Sequence, residues 1–340
     1  MTESDSLALR RYRRFAWITI AAVYFLILVG ASVRASGSGM GCPDWPTCFG
    51  QWIPPTSESQ LPDNYQELYA ELGYAETRFN VVKTWTEYAN RLVGVTIGFL
   101  IFITALVSWP CRKHDPWIFR ASVAAFLMVG FQGWLGARVV ASNLQPGMIT
   151  VHMLMALAIV AALLFALAQS RRGIMVSQSV AGLDPRFEKW LYVIIILGLV
   201  QISMGTQVRE MTDLISRSQG EELRSSWIEF MPWFFYVHRS FSAIVLFSNM
   251  WLLYLLVRSV GWQHSLTRFA MAMITVTLLA VLSGATLGHL GMPALVQPTH
   301  LLAASLLFGF QFLIWMGFRH ARSSGFPDRP ESGGQRTVTA

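Results

Sequence analysis

The chain has 340 residues, of which 54% are hydrophobic and only 13% are charged, whereas an ordinary soluble domain has about 25% charged residues. This composition excludes a soluble globular domain and indicates a membrane protein. Membrane topology and attraction to anionic lipids explain the net charge of +7 better than nucleic-acid binding does, so we expect lipid contacts and no nucleic-acid partner.

Eight apolar segments follow one another along the chain, each long enough to cross a bilayer as a helix, which takes about 20 residues. Arginines precede the first segment, but it is too long for the core of a signal peptide, so we expect it to be retained. The sequence therefore predicts an all-α integral membrane protein with eight transmembrane helices. The segments are Phe15–Val33, Leu92–Trp109, Trp117–Ala137, Gly147–Gln169, Trp190–Val208, Ser240–Val257, Phe269–Gly288 and Pro298–Phe318.

The positive charges predict the orientation, because cytoplasmic loops retain Lys and Arg. Most of them fall on the side of the N-terminus. We therefore expect a multi-pass protein of the inner (cytoplasmic) membrane with both termini cytoplasmic and two long outer loops, 34–82 and 209–232. The organisation predicted is a cytoplasmic segment 1–14, an N-terminal four-helix half 15–169, a cytoplasmic linker 170–189, a C-terminal half 190–318 and a disordered cytoplasmic tail 319–340.

The two halves resemble each other, which indicates an internal repeat. Because four helices is an even number, both halves enter the bilayer in the same direction and are related by an axis along the membrane normal. We therefore predict two parallel-repeat four-helix bundles. At an offset of 148 residues Asn90-Arg91 falls on His238-Arg239, Gly136-Ala137 on Gly284-Ala285 and His152 on His300, and at an offset of 175 residues Val33-Arg34 falls on Val208-Arg209.

Three histidines, His152, His238 and His300, each lie near the start of a helix that begins at the outer face. An imidazole inside a membrane span indicates a functional site, although a hydrogen-bonded histidine at a helix entrance is the alternative. Haem iron takes axial imidazole ligands, and bundles bind cofactors between facing helices. The pattern predicts that His238 and His300 hold one haem iron. Because His152 lies at a similar membrane depth, any haem site of either half is expected toward the outer face.

The first half departs from this pattern, because Asn90 stands where the second half has His238. A porphyrin bound there would have His152 on one side of its iron and an open position on the other, which suits a substrate. Glu87 lies three residues before Asn90 and therefore on the same helix face. It is predicted to accept a proton or stabilise a cation, and the alternative is an interface residue paired with Arg91 or Lys83.

Arg91 directly follows Asn90, and Arg239 directly follows His238. Arginine binds carboxylates such as haem propionates, so both are predicted to bind them. The alternative for both is contact with lipid headgroups. Cys42 and Cys48 lie in the first outer loop, six residues apart, where an oxidising compartment permits a disulfide. They are interpreted as either a structural disulfide or a redox-active pair.

The end of the first span with the following segment Gly30-Ala-Ser-Val-Arg-Ala-Ser-Gly-Ser-Gly-Met-Gly-Cys-Pro-Asp-Trp-Pro-Thr-Cys48, the Glu87 segment and the three histidines resemble the haem A synthase family over residues 15–318. The resemblance implies an oxidoreductase that converts the methyl group of haem O to the formyl group of haem A for cytochrome oxidase. It implies a haem b cofactor on His238 and His300, and haem O bound in the first half beside Glu87 and His152. The family's other substrate-site histidine corresponds to Asn90.

Two other functions stay open. The first is a bis-histidine b-type electron-transfer cytochrome without porphyrin-modifying activity, and the second is a transporter with parallel repeats, for which polar residues at mid-membrane are typical. The partners implied by the resemblance are haem O and the upstream enzyme that makes it. The electron acceptor, the source of the formyl oxygen and assembly into a homo-oligomer are left open by the sequence.

Overall fold

The computed structural model describes residues 3–75, 77–172, 180, 182–184 and 186–323. Eight long helices, numbered here α1 to α8, dominate this part of the chain, and each is long and apolar enough to cross a membrane. The prediction of an all-α chain with eight such helices is confirmed. Their bounds are α1 Glu3–Ala35, α2 Val81–Ser108, α3 Pro116–Ala141, α4 Pro146–Ser170, α5 Phe187–Gln219, α6 Trp233–Val260, α7 Ser265–His289 and α8 Val296–Ser323.

Local sequence signals explain where several of these helices begin. The side chain of Asn80 accepts a hydrogen bond from the backbone N–H of Lys83, and Asp115 does the same for Trp117. Both are N-caps that satisfy backbone donors left without a helical partner. Proline occupies the first position of α3 and α4, where its missing N–H costs nothing.

The helices extend beyond the apolar segments that predict them, and the extensions of α1, α2 and α5 are the largest. α1 begins at Glu3, inside the predicted segment 1–14, and α5 continues to Gln219 through the first half of the predicted outer loop 209–232. A 3-10 helix, Glu221–Phe230, fills most of the rest of that loop and buries Trp227 against the extension of α5. Apolar periodicity marks the part of a helix that meets lipid, and it does not mark where the helix ends.

The predicted tail and linker are only partly described. α8 continues to Ser323, within the predicted tail 319–340, and residues 324–340 lie outside the described residues. Residues 173–179, 181 and 185 of the predicted linker also lie outside them.

The helices pack as two closed rings of four. In the first half α1 contacts α2, α2 contacts α3, α3 contacts α4, and α4 returns to α1; α5 to α8 repeat this order. The halves meet where α1 and α4 contact α8 and α4 contacts α5. Exchanging α1 with α5 and α4 with α8 reproduces these contacts, which is consistent with the predicted parallel repeat.

A shared carboxylate joins the two halves at one end of the bundle. Asp213 of α5 accepts from Arg34 at the end of α1, with Nη2 2.7 Å from Oδ2, and from Arg209, with Nη2 2.6 Å from Oδ1. Arg209 also donates to the backbone carbonyl of Arg34. The two arginines at equivalent positions of the repeat therefore meet on one acid at the interface between the halves.

We call the end of the bundle where α1 ends and α2 begins the loop face, and the opposite end, where α1 begins and α8 ends, the terminal face. At the loop face, residues 36–75 and 77–80 form a compact unit that includes a short helix, Tyr65–Leu68, and two 3-10 turns, Glu58–Gln60 and Ala70–Leu72. Phe49 is its centre, with four aromatic rings around it at centroid distances of 5.3 to 6.3 Å. The first long loop is thus a packed cap with its own apolar core.

Candidate functional site

Four side chains near the loop face, at equivalent positions of the repeat, each lie against a glycine on the preceding helix. In the first half, a Cβ added at Gly30 would lie 3.9 Å from the side chain of Asn90, and one at Gly136 would lie 3.6 Å from that of His152. In the second half, a Cβ at Gly205 would lie 3.2 Å from the side chain of His238, and one at Gly284 would lie 3.0 Å from that of His300. We call these four pairs the ligand seats. Each glycine lets a side chain lie directly against the neighbouring helix backbone.

The two seats of the second half bring His238 and His300 together. Their ring centroids are 6.4 Å apart, and the rings are inclined by 75°. Imidazole nitrogen bonds a metal ion at about 2 Å, which places the centres of two rings on one ion roughly 6 Å apart. The spacing of this pair therefore fits a metal ion bound between the two rings.

The hydrogen bonds of His300 favour ligation through its other ring nitrogen. Its Nδ1 lies 2.9 Å from the carbonyl oxygen of Ala280 and 3.1 Å from Oγ of Ser283. Donation from Nδ1 to the carbonyl leaves Nε2 with a free lone pair, which is the arrangement found in metal-binding histidines. The Nδ1 atom of His238 is buried without a hydrogen-bond partner among the described residues.

These observations distinguish a haem site from a site for a metal ion alone. No group of three His, Cys, Asp or Glu side chains suited to a metal ion alone occurs within the described ranges. Haem iron, in contrast, needs one or two axial side chains, because the porphyrin supplies the other ligands. The pair of His238 and His300 fits that requirement.

The first half has one imidazole at its two seats. His152 has a buried Nδ1 without a hydrogen-bond partner in the described part of the chain, and its backbone carbonyl accepts from the side chain of Gln132 at 3.0 Å. Gln201 makes the same kind of bond to the carbonyl of His238, at 3.1 Å. The Oδ1 atom of Asn90 is buried without a partner among the described atoms. The first half thus repeats the two glycine-opposed positions of the second half but has an imidazole at only one of them.

Glu87 is buried, with 4% of its surface exposed, and both carboxylate oxygens have partners. Oε1 pairs with the guanidinium of Arg91, and Oε2 accepts from the backbone N–H of Cys42 at 2.9 Å. The pairing with Arg91 that the sequence offered as one alternative is therefore present. Because Cys42 belongs to the loop, the carboxylate connects the wall of the first half to its cap.

Arg91 completes this connection. Its Nη1 donates to the carbonyl oxygens of Asp44 and Thr47, at 2.7 and 2.9 Å. The equivalent residue Arg239 makes a different contact, because its guanidinium lies 5.4 Å from the ring centre of Tyr236. The two arginines are equivalent in sequence but differ in surroundings.

The disulfide Cys42–Cys48 is present, as the sequence allowed. The neighbouring Gly41 lies against the start of α2, where an added Cβ would be 2.3 Å from the carbonyl oxygen of Lys83. Thr84 donates to the carbonyl of Gly41, and Tyr74 donates to that of Met40. Burial raises the pKa of the Tyr74 hydroxyl above its usual value, which keeps it a donor. Side-chain and backbone contacts therefore fix the cap directly above the first half.

Sequence reasoning missed two features of the site. Gly30 and Gly205 were not identified, although they coincide at the offset of 175 residues that aligns Arg34 with Arg209. Asp213 was missed because it has no equivalent in the first half, where Ser38 occupies that position. The offset of 175 residues that aligns Arg34 with Arg209 contains the signal for the glycines, whereas only the contact of α5 with the end of α1 identifies the acid.

Comparison with known proteins gives a consistent result. Residues 13–312 match the family model COX15-CtaA, described as cytochrome oxidase assembly protein. A haem A synthase of Methylobacterium radiotolerans is 30% identical over 207 residues, 57% of this chain and 54% of that protein. The haem A synthase of Shewanella oneidensis is 29% identical over 180 residues, 52% of each chain. That of Alkalihalophilus pseudofirmus is 30% identical over 144 residues, 42% of this chain and 41% of that protein. The chain spans about half the length of the curated relatives it matches.

Proposed function

We propose, from the premise that this chain belongs to the cytochrome oxidase assembly protein family, that it is a haem A synthase, a membrane oxidoreductase that converts the methyl group of haem O to a formyl group. The relatives compared above are named haem A synthases. The observation that carries the proposal is the set of four ligand seats, three with an imidazole and one with an amide.

The second half is the cofactor half in this proposal. His238 and His300 hold a haem b, whose bound iron supplies one-electron chemistry. The bond from His300 to the carbonyl of Ala280 occupies Nδ1 and leaves Nε2 as the nitrogen that would bind the iron. Gly205 and Gly284 give both imidazoles room to lie against the neighbouring helices.

The first half is the substrate half. His152 binds the haem O iron on one side, and Asn90, a poor iron ligand, leaves the other side weakly held. A substrate has to leave after the reaction, so a single strong ligand suits it better than two. The rest of the affinity comes from burial of the porphyrin between the helices of the first half.

Glu87 is the proposed catalytic residue. Conversion of a methyl group to a formyl group with water as the oxygen source adds one oxygen atom, passes four electrons to an external acceptor and releases four protons. A proton acceptor is therefore needed beside the reacting carbon. Glu87 is a buried carboxylate on the same helix face as Asn90, and Arg91 and Cys42 hold it in position. The cap lies against this carboxylate, which is buried, and so excludes water from it.

The test is to express the chain in a host that makes haem O but not haem A, and to identify the non-covalent haem extracted from the purified protein. We expect haem A together with haem b. Haem b alone, with an ordinary bis-histidine spectrum, would instead support an electron-transfer cytochrome. A chain without haem would contradict both functions and favour a transporter.

A further inference from the structure

A cavity of about 320 Å³ lies at the terminal face, far from the ligand seats, between the start of α3 and the ends of α4 and α8. The rings of Trp117 and Phe165 form its apolar side and lie edge to face with centroids 6.3 Å apart. Arg172, Arg319 and His320 also line it. None of these residues takes part in the proposed haem chemistry.

Two polar side chains that line the cavity have atoms without protein partners in the described part of the chain. His320 is 6% exposed, and its Nδ1 is buried without a hydrogen bond. The Oε1 atom of Gln169 is in the same situation. Buried polar atoms are rarely left without a partner, because the loss of their contact with water costs about 1 to 3 kcal/mol. These two atoms beside the cavity are available to accept or donate a hydrogen bond to a polar ligand.

The charged side chains around the cavity indicate whether that ligand is positively or negatively charged. The guanidinium of Arg172 contacts Oγ of Ser323 at 3.3 Å, and Arg319 lies over the ring of Trp315. Arg120 lies over the ring of Trp117 and adds a third positive charge.

Two acids lie nearby. Glu188 pairs with Arg322 at 3.0 Å and with Arg319 at 3.8 Å. Asp115 caps α3 through the N–H of Trp117. With Arg322 included, four arginines face two acids, so the rim of the cavity attracts an anion.

We propose that this cavity binds the headgroup of an acidic phospholipid. The phosphate would lie among Arg172, Arg319 and His320, and the acyl chains would follow the rings of Trp117 and Phe165 into the bilayer. Basic pockets between the ends of transmembrane helices bind acidic lipids in this way, and aromatic rings mark the level of the headgroups. α8, which contacts helices of both halves, carries Arg319 and His320, so a lipid bound here would lie beside the interface between the halves.

The test uses native mass spectrometry of the purified, delipidated full chain, titrated with phosphatidylglycerol or with phosphatidylcholine of the same acyl chains. We expect phosphatidylglycerol to bind more tightly than phosphatidylcholine. Each arginine beside an anionic lipid contributes about a fivefold increase in affinity, so the double variant Arg172→Gln/Arg319→Gln should bind phosphatidylglycerol roughly 25-fold more weakly.

The matched control is Arg258→Gln. Arg258 is an exposed arginine at the terminal end of α6 that lies over the ring of Tyr254, as Arg319 lies over Trp315. The Arg258→Gln variant should bind phosphatidylglycerol with the same affinity as the unchanged chain. Arg172→Glu changes one exposed side chain and gives a second variant if the double variant folds poorly; it should also abolish the preference for phosphatidylglycerol.

Three results would overturn the proposal. These are equal affinity for the two lipids, equal losses in the Arg258 control and the double variant, and displacement of the lipid by millimolar inorganic phosphate, which would identify free phosphate as the ligand. The haem spectrum of each variant should equal that of the unchanged chain, so the outcome is independent of the proposed haem A synthase activity.

Discussion

The carboxylate of Glu87 accepts a hydrogen bond from the backbone N–H of Cys42, 2.9 Å from Oε2, although 45 residues separate them in the chain. The bond joins a membrane helix of the first half to the disulfide loop above it. One buried side chain therefore contributes both to the wall of the proposed substrate site and to the attachment of its cap.

Glu87→Ala should remove the activity and loosen the cap. It leaves the guanidinium of Arg91, whose side chain is 11% exposed, without its carboxylate, which costs about 3 kcal/mol of the free energy of unfolding. Loss of a proton acceptor should lower the rate of haem A formation by at least about 100-fold. Haem A yield and the midpoint of thermal unfolding in detergent measure the two effects.

Glu87→Gln separates the two roles of this residue. Its amide oxygen can still accept from Cys42, so the cap should stay attached while haem A formation stops. The carboxylate that pairs with Arg91 is also lost, so the thermal midpoint should fall as well. Glu67→Ala, at an exposed acid of the same loop, is the control and should change neither quantity. Normal haem A formation by Glu87→Gln would rule out the catalytic role.

Gly284→Ala should weaken haem binding in the second half without unfolding the helix. The added methyl group would lie 3.0 Å from Cε1 of His300 and would push the imidazole out of its seat. Alanine inside a helix is otherwise more favourable than glycine by about 1 kcal/mol, so the thermal midpoint should not fall. We expect a lower ratio of b-type haem to protein. The control Gly136→Ala places its methyl group 3.6 Å from His152, an ordinary contact, and should leave that ratio unchanged.

Asn90→His should convert the first half into a second bis-histidine site. The imidazole would occupy the seat opposite Gly30 and face the same iron as His152. Two strong axial ligands hold porphyrin more firmly than one, so bound haem should increase and turnover should fall. Electron paramagnetic resonance should detect a second low-spin haem signal that the unchanged chain lacks. An unchanged spectrum would mean that no porphyrin iron lies between positions 90 and 152.

The double variant Cys42→Ser/Cys48→Ser should be less stable but still active. Closure of so short a ring stabilises the folded state by about 2 kcal/mol, and the Glu87 and Arg91 contacts to the backbone of the loop remain. We expect a lower thermal midpoint and haem A formation within a few-fold of normal at low temperature. Complete loss of haem A in a folded variant would instead support a redox role for the cysteines.

Asp213→Asn should weaken the interface between the halves. It removes the negative charge that Arg34 and Arg209 share, at side chains about one-fifth exposed, and should cost about 1 kcal/mol. Thermal unfolding in detergent measures this loss, which high salt should reduce. Asp63→Asn, at an exposed position of the cap, is the control and should have no effect.

The sequence alone predicted most of the fold and part of the site. Length and apolar content require eight membrane helices, because about 20 apolar residues are needed to satisfy the backbone inside a bilayer. The coincidence of Asn90 with His238 and of His152 with His300 predicts a closed haem site in the second half and an open one in the first. Helix ends were predicted poorly, since α5 continues as a helix beyond its apolar part, where another segment of the chain covers it.

What the tertiary structure decided is which groups meet. The pattern of residues places Glu87, Arg91 and Cys42 near one face, but only the folded cap brings the N–H of Cys42 to the carboxylate and the carbonyls of Asp44 and Thr47 to the guanidinium. Likewise, Arg34 and Arg209 are equivalent in sequence, and only the packing of the halves gives them one acid. Apolar periodicity is a local property, because it depends only on one helix and the lipid around it. Long-range polar contacts depend on how two helices or a loop and a helix pack, and no single segment encodes that arrangement.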